Sequence, residues 1–294
     1  MANPLRWSDE ELKTDRDLAE LRFIAERQNE GPAAYHGTWD IVEPQIRAAL
    51  SATEDLTKIE GQDLLSRKGL WQILRYMCAP RISEEDLWTL VGKKFKNVPK
   101  NYAEKSAQVI SDLVDLKRFP WVLAGRIPST EERDAAVMAT ATLLAHERLG
   151  TSRRGGASKK QEDAVSEALV LAELTIDASR RPLAALDGLA RAHFSRERKV
   201  GSAKCDIPIR LKDGRLLALE CKVSNGPKNS WKRLQREVGG KAETWRNAYG
   251  SQVVTGALLA GVYDLKCLSD AQNNQNVALF WQHDLKPLIQ FVLD

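Results

Sequence analysis

Apolar and polar positions follow two different rhythms along the 294 residues of this chain. Up to about residue 150, apolar residues recur every three or four positions, the period of a helix with one buried face. A charged run from Trp7 to about Asn29 opens on Ser8-Asp9-Glu10-Glu11 and carries Leu12, Leu18, Leu21 and Ile24 along one side. Further helices are expected near 40–51, 61–78, 83–95, 101–117 and 130–149. Two of them have clear starts: Ser83-Glu84-Glu85-Asp86 after Pro80, and Ser129-Thr130-Glu131-Glu132 after Pro128. In each, a hydroxyl cap precedes acids that favour the positive end of the helix dipole. The last helix, with AAVMATATLLA, is apolar enough to be buried.

The rhythm changes after GTSRRGGAS at 150–158, a glycine-rich, basic stretch that reads as a loop. We place a domain boundary there, with a helical amino-terminal domain at 1–150 and a second domain at 151–294. The second domain opens on a helix near 159–173, followed by a poorly patterned segment, 175–199, that ends in Ser195-Arg196-Glu197-Arg198-Lys199. Two strands, 203–211 and 215–223, flank an Asp213-Gly214 turn. A helix at 229–248, strands at 252–262 and 277–282 and a last helix at 284–293 complete the chain. This alternation predicts an α/β fold with a mixed central sheet flanked by helices, behind a mainly helical amino-terminal half.

Charge sharpens the division. Residues 1–150 carry 21 Lys and Arg against 24 Asp and Glu, a net of −3, and residues 151–294 carry 23 against 16, a net of +7. A positive second half suits a polyanionic partner. No apolar run approaches the roughly 20 residues of a membrane span, and the polar, acidic start lacks the pattern of a signal peptide. Cys78, Cys205, Cys221 and Cys267 are widely spaced and read as reduced core residues, so a cytoplasmic location is expected.

The candidate chemistry lies in the hairpin. Strict alternation puts Cys205, Ile207, Ile209 and Leu211 on one apolar face of the first strand and Asp206 on the other. In the second strand Leu217, Leu219, Cys221 and Val223 share a face, while Glu220 and Lys222 project together from the opposite side. Phosphodiester hydrolysis needs a hard cation, and Mg²⁺ takes oxygen ligands such as one or two carboxylates. Asp206 and Glu220 are the candidate ligands, with the backbone carbonyl of Cys221 as a third. Lys222 would orient the attacking water, or help deprotonate it, and stabilise charge on the phosphate. The spacing alone also fits two half-exposed strands with charges on a solvated face.

Basic and amide side chains around this hairpin are candidates for DNA contact: Arg153, Arg154, Lys159 and Lys160 before it, and Ser224, Asn225, Asn229, Ser230, Lys232 and Arg233 after it. For the second group, an Asn/Gly/Pro turn with a Ser or Asn cap explains the same residues. Most of the eight tryptophans are expected to fill the core or an interface, and Trp231 is the one to test for DNA contact. The four histidines do not pair with cysteines at zinc spacing, and no phosphate-binding loop of an ATPase occurs.

CDIPIRLKDGRLLALECKVSNGPKNSWKRL resembles the core of the PD-(D/E)xK nuclease superfamily. The continuation KAETWRNAYGSQVVTGALLAGVYDLKCL, the terminal LFWQHDL, and NPLRWSDEEL, RISEEDL, RFPWVLAGRIPSTEERDAAV and GTSRRGGASKKQEDAV resemble the XamI family of type II restriction endonucleases. The resemblance implies a Mg²⁺-dependent homodimer that cuts both strands of a short palindrome to leave 5′-phosphates, partnered by a DNA methyltransferase. GTCGAC, associated with a family member, is one candidate site. Asp206, Glu220 and Lys222 occupy the superfamily positions, and Cys205 stands where the superfamily's name has proline. Glu162 matches an acidic position near such sites, with Glu167 competing. A structure-selective repair nuclease and an inactive DNA-binding relative remain the alternatives.

Overall fold

The computed structural model describes residues 3–294, except for the side chain of Arg154. The chain divides into two compact units, Met1–Asn29 with Arg153–Asp294, and Glu30–Ser152. Two long helices, α1 (Asp9–Ala52) and α7 (Thr130–Leu171), contribute residues to both.

Both helices run through segments where the sequence predicts breaks. α1 contains Pro32 and Pro44, each of which removes one backbone donor at a local cost of ~3 kcal/mol. Burial on either side offsets that cost: Leu12 and Ala19 anchor the early turns, and Val42, Ile46 and Leu50 the late ones. α7 carries straight through 150–158, so the expected loop is helix. Gly155 and Gly156 there cost about 1 kcal/mol each relative to alanine, a penalty that the flanking Ala- and Leu-rich turns absorb.

The helical unit packs α2 (Gly61–Ser66), α3 (Leu70–Leu74), α4 (Glu84–Val91), α5 (Ala103–Asp112) and α6 (Pro120–Ala124) around Trp71, Met77, Leu87, Ile110, Phe119 and Trp121. The single helix expected over 61–78 is two, because Gly69 is left-handed (φ +86°) between them. At Ser83 and at Ser129 the expected caps form, each serine and the acid three residues later exchanging hydrogen bonds.

The other unit holds the strands. β1 (Thr175–Asp177), β2 (His193–Ser195) and β3 (Arg198–Val200) come from the poorly patterned segment and are too short for periodicity to show. β4 (Ala203–Cys205) and β5 (Ile207–Arg210) replace one expected strand. β6 (Leu216–Asn225), β7 (Val253–Val262) and β8 (Ala278–Trp281) follow. Among the described residues these strands form a six-stranded mixed sheet of order β1-β2-β5-β6-β7-β8 and a two-stranded ribbon, β3-β4. β5 pairs antiparallel with β6; β6 pairs parallel over its whole length with β7, which pairs parallel with β8.

Ile207, Ile209, Leu217, Leu219 and Cys221 bury one face of the sheet with Val165 and Leu169 of α7 and Phe291 of α11 (Lys286–Leu293). Behind β6 the helix expected at 229–248 is three segments: α8 (Pro227–Ser230), a π-helix (Trp231–Val238) and α9 (Gly239–Tyr249). A helix that the sequence pattern does not predict, α10 (Leu265–Asn273), starts at Asp264, whose carboxylate accepts the Cys267 N–H. Among the described residues no helix is long and apolar enough to cross a membrane.

Candidate active site

The site forms where the first strand breaks. The chain bends at Asp206, between β4 and β5, so Cys205 and Ile207 do not share a face as alternation predicts. Cys205 packs with Leu216, Ala218 and Trp245, whereas Ile207 and Ile209 face the opposite layer. The bend aims Asp206 at β6, where its Oδ2 accepts the Cys221 N–H at 2.8 Å.

On β6 the expected alternation holds. Leu217, Leu219 and Cys221 enter the apolar layer against α7 and α11, and Glu220 and Lys222 emerge on the other side. Lys222 Nζ lies 3.0 Å from Asp206 Oδ2 and 2.8 Å from Glu220 Oε2, so one ammonium bridges the two carboxylates. The three residues singled out by the sequence therefore meet. Glu220 is fully buried, and Asp206, with 17 % of its side chain exposed, is the member open to solvent.

Electrostatics follow from this burial. Removal from water pushes the Glu220 carboxyl above its ordinary value; Lys222 and Lys241 oppose the rise, and the charge of Asp206 adds to it. Burial alone would lower the Lys222 pKa, but Glu220 and Asp206 outweigh it and hold the ammonium firmly protonated. In this state Lys222 is a charge stabiliser and donor, with no lone pair to act as base. Glu162, on α7, is also raised, first by burial and then by the charge of Asp206, which places it within electrostatic reach of the site. It accepts from the Ser158 hydroxyl at 3.4 Å and lies 3.8 Å from Arg196. Its competitor Glu167 is exposed.

Three further residues serve the site without a sequence signal. Lys241 of α9 reaches Glu220 Oε2 at 2.7 Å, across 21 positions of sequence. Buried Tyr263 donates its hydroxyl to the Lys222 carbonyl at 2.8 Å. Buried Gln161, beside Glu162, directs its amide at the same carbonyl and at that of Leu258, at 3.5 and 3.4 Å. A lysine and a glutamine on helices and a tyrosine just past the end of β7 look like any others until the sheet assembles.

A divalent cation fits this donor set. Among the described residues no three His, Cys, Asp or Glu side chains form a closed cage, yet a hard, water-retaining ion needs only one or two carboxylates. Glu220 Oε1 is buried and, among the described residues, has no hydrogen-bond partner, an acceptor left open beside Asp206. Asp206 and Glu220 would hold the ion.

The proposed DNA contacts separate into groups. Ser224 and Ser230 are buried, and their hydroxyls donate to the Gly226 and Pro227 carbonyls, so these two serines shape the turn. Asn225 is exposed and accepts from Arg27 at 3.4 Å. Lys232 is exposed, Asn229 is half-buried, Arg233 pairs with Glu237 at 3.2 Å, and Trp231 is 37 % exposed. Arg153, Lys159 and Lys160 lie on α7, where Lys160 pairs with Glu26 at 2.9 Å; the side chain of Arg154 lies outside the described residues.

An acid at the bend before β5, and an acid and a lysine on the neighbouring strand β6, form a donor set that can hold a divalent cation against a phosphodiester. The chain belongs to the XamI restriction endonuclease family, whose model matches residues 54–281. It is 30 % identical over 270 residues to the type II restriction enzyme XamI of Xanthomonas campestris pv. amaranthicola, a match that covers 85 % of this chain and 94 % of that enzyme. It is accordingly a type II site-specific nuclease that cleaves DNA. No solved structure matches the chain.

Proposed function

We propose that this enzyme uses Mg²⁺, held by Asp206 and Glu220 with the Cys221 carbonyl, to cut both strands of a short palindrome and leave 5′-phosphates. The observation that carries this reading is the Lys222 ammonium bridging two carboxylates, one on buried β6 and one at the bend before β5. Held by those groups, the cation would supply Lewis acidity toward the phosphate and a water.

The protein's own residues do the rest. Asp206 is fixed by the Cys221 N–H and cannot swing away from the phosphate path. Lys222, protonated, orients the attacking water and neutralises charge that grows on the phosphate oxygens. Glu162, its carboxyl raised by burial, stands ready to take a proton from that water or support its ordering. Exposed Lys232, with Asn225, Asn229, Arg233 and, on α7, Arg153, Lys159 and Lys160, meets phosphates and base edges; the Arg154 side chain, the other basic candidate there, lies outside the described residues.

A palindromic target suits a two-fold homodimer, and the helical half serves dimerisation or embraces the DNA. GTCGAC is the first sequence to test, and a methyltransferase of the same specificity would protect host DNA.

Digestion of unmethylated plasmid with Mg²⁺, followed by sequencing of the ends, tests the proposal. Discrete fragments with 5′-phosphates at one palindrome are expected. Nicks or a smear without a common end sequence would point to a structure-selective nuclease, and no cutting of any unmethylated DNA would leave a DNA-binding protein.

A further inference from the structure

Glu220 is gripped by two ammonium groups from different elements, and both grip the same oxygen. Lys222 Nζ from β6 is 2.8 Å from Oε2, and Lys241 Nζ from α9 is 2.7 Å from it. Oε1, equally buried, has no hydrogen-bond partner among the described residues. Lys222 is shared with Asp206, whereas Lys241, a quarter exposed, extends inward from the first turn of α9.

This arrangement does more than neutralise charge. A buried carboxylate is costly unless paired, and Lys222 alone would have to satisfy both acids. Two carboxylates against two ammoniums balance. A second anchor from another element also removes the torsional freedom that a glutamate retains when it is held only by its sequence neighbour two residues away. The oxygen left open is then fixed in direction.

We propose that Lys241 is a positioning residue: it pins Glu220 through Oε2 so that Oε1 faces the divalent cation, and it leaves Lys222 able to turn to the phosphate. The inference rests on the reading of Glu220 as a metal ligand. Outer partners of a ligating carboxylate typically contribute roughly 10- to 100-fold to metal affinity.

The test measures Mn²⁺ binding to the full chain without DNA, from the loss of the free-ion paramagnetic resonance signal, beside urea unfolding of each variant. Glu220→Gln should abolish binding. Lys241→Met should weaken it by roughly 10-fold or more, and Lys241→Arg should restore it. Wild-type or tighter affinity in Lys241→Met overturns the proposal, the tighter result marking Lys241 as a competitor of the metal. Should Lys241→Met not fold, Lys241→Gln replaces it, and wild-type affinity in that variant overturns the proposal in the same way. If Glu220→Gln binds Mn²⁺ like the wild type, the metal-ligand reading itself fails and takes the role of Lys241 with it.

Discussion

Asp206 and Cys221 are joined by a hydrogen bond that crosses from the bend between β4 and β5 to the middle of β6, with Oδ2 accepting the backbone N–H at 2.8 Å. The carboxylate therefore has a structural duty besides the chemical one, and two substitutions separate them. Asp206→Asn keeps an acceptor for the Cys221 N–H, whereas Asp206→Ala orphans it. Both should abolish cleavage, but Asp206→Ala should unfold at lower urea, by about 1–3 kcal/mol relative to Asp206→Asn. Equal stability of the two would show that the bond contributes nothing.

Lys222→Met should reduce cleavage by roughly 10²-fold or more. It should also destabilise the protein by about 3 kcal/mol at neutral pH, because two acids lose their shared cation. The Glu220 carboxyl already sits above the usual 4.5. A raised carboxyl means the folded state holds its proton more tightly, so acid favours folding of the variant as pH falls through that raised value. Urea midpoints at pH 7.5 and 5 check the sign: the deficit relative to wild type should shrink at the lower pH.

Gly261 has φ +89°, and a Cβ there would lie 2.1 Å from the Ser224 carbonyl oxygen. Gly261→Ala should cost about 1–3 kcal/mol and displace the end of β6, lowering activity together with thermal stability. Full activity with an unchanged melting temperature would contradict this.

In the helical unit, Asp115 accepts from Arg118 Nε at 2.7 Å and from the backbone N–H groups of Lys117 and Arg118. Burial raises its pKa, but these bonds outweigh that and hold it below 3.8. A depressed carboxyl stabilises the fold above its unfolded pKa and loses that contribution as pH falls through the folded one. Asp115→Asn should therefore lower stability at pH 7 by about 1.5–3 kcal/mol and make little difference near pH 2, as measured by denaturant unfolding at both.

The thiols give a simple probe of folding. Burial raises Cys78 to about 12 and Cys267 to about 11, with Cys205 and Cys221 well above their usual value. Iodoacetamide at pH 8 should label none in the native protein and all four in urea, counted by mass spectrometry. Rapid labelling of Cys205 or Cys221 without urea would mean that the hairpin opens.

The sequence is most legible where one element repeats a simple rhythm. β6 announces Glu220 and Lys222 because they are the charged residues two apart that interrupt an otherwise apolar run, and the capped starts at Ser83 and Ser129 are local chemistry. Alternation misplaces Cys205 because a bend at one residue shifts the pattern by one, and nothing in Cys205-Asp206-Ile207 marks it. The glycines at 155 and 156 suggest a loop, but helix propensity is weak beside the continuity of the turns on either side. Lys241 and Tyr263 carry no signal of their own, since their roles depend on contacts across 21 and 41 residues.

β6 is hydrogen-bonded on both edges, antiparallel to β5 and, along all ten of its residues, parallel to β7. Its amides belong among the last to exchange with solvent deuterium, released only when the whole unit opens. Loss of cleavage on heating should then coincide with melting of the sheet. A cutting centre built on such a strand should be lost as one unit with the sheet, not by fraying of its own residues.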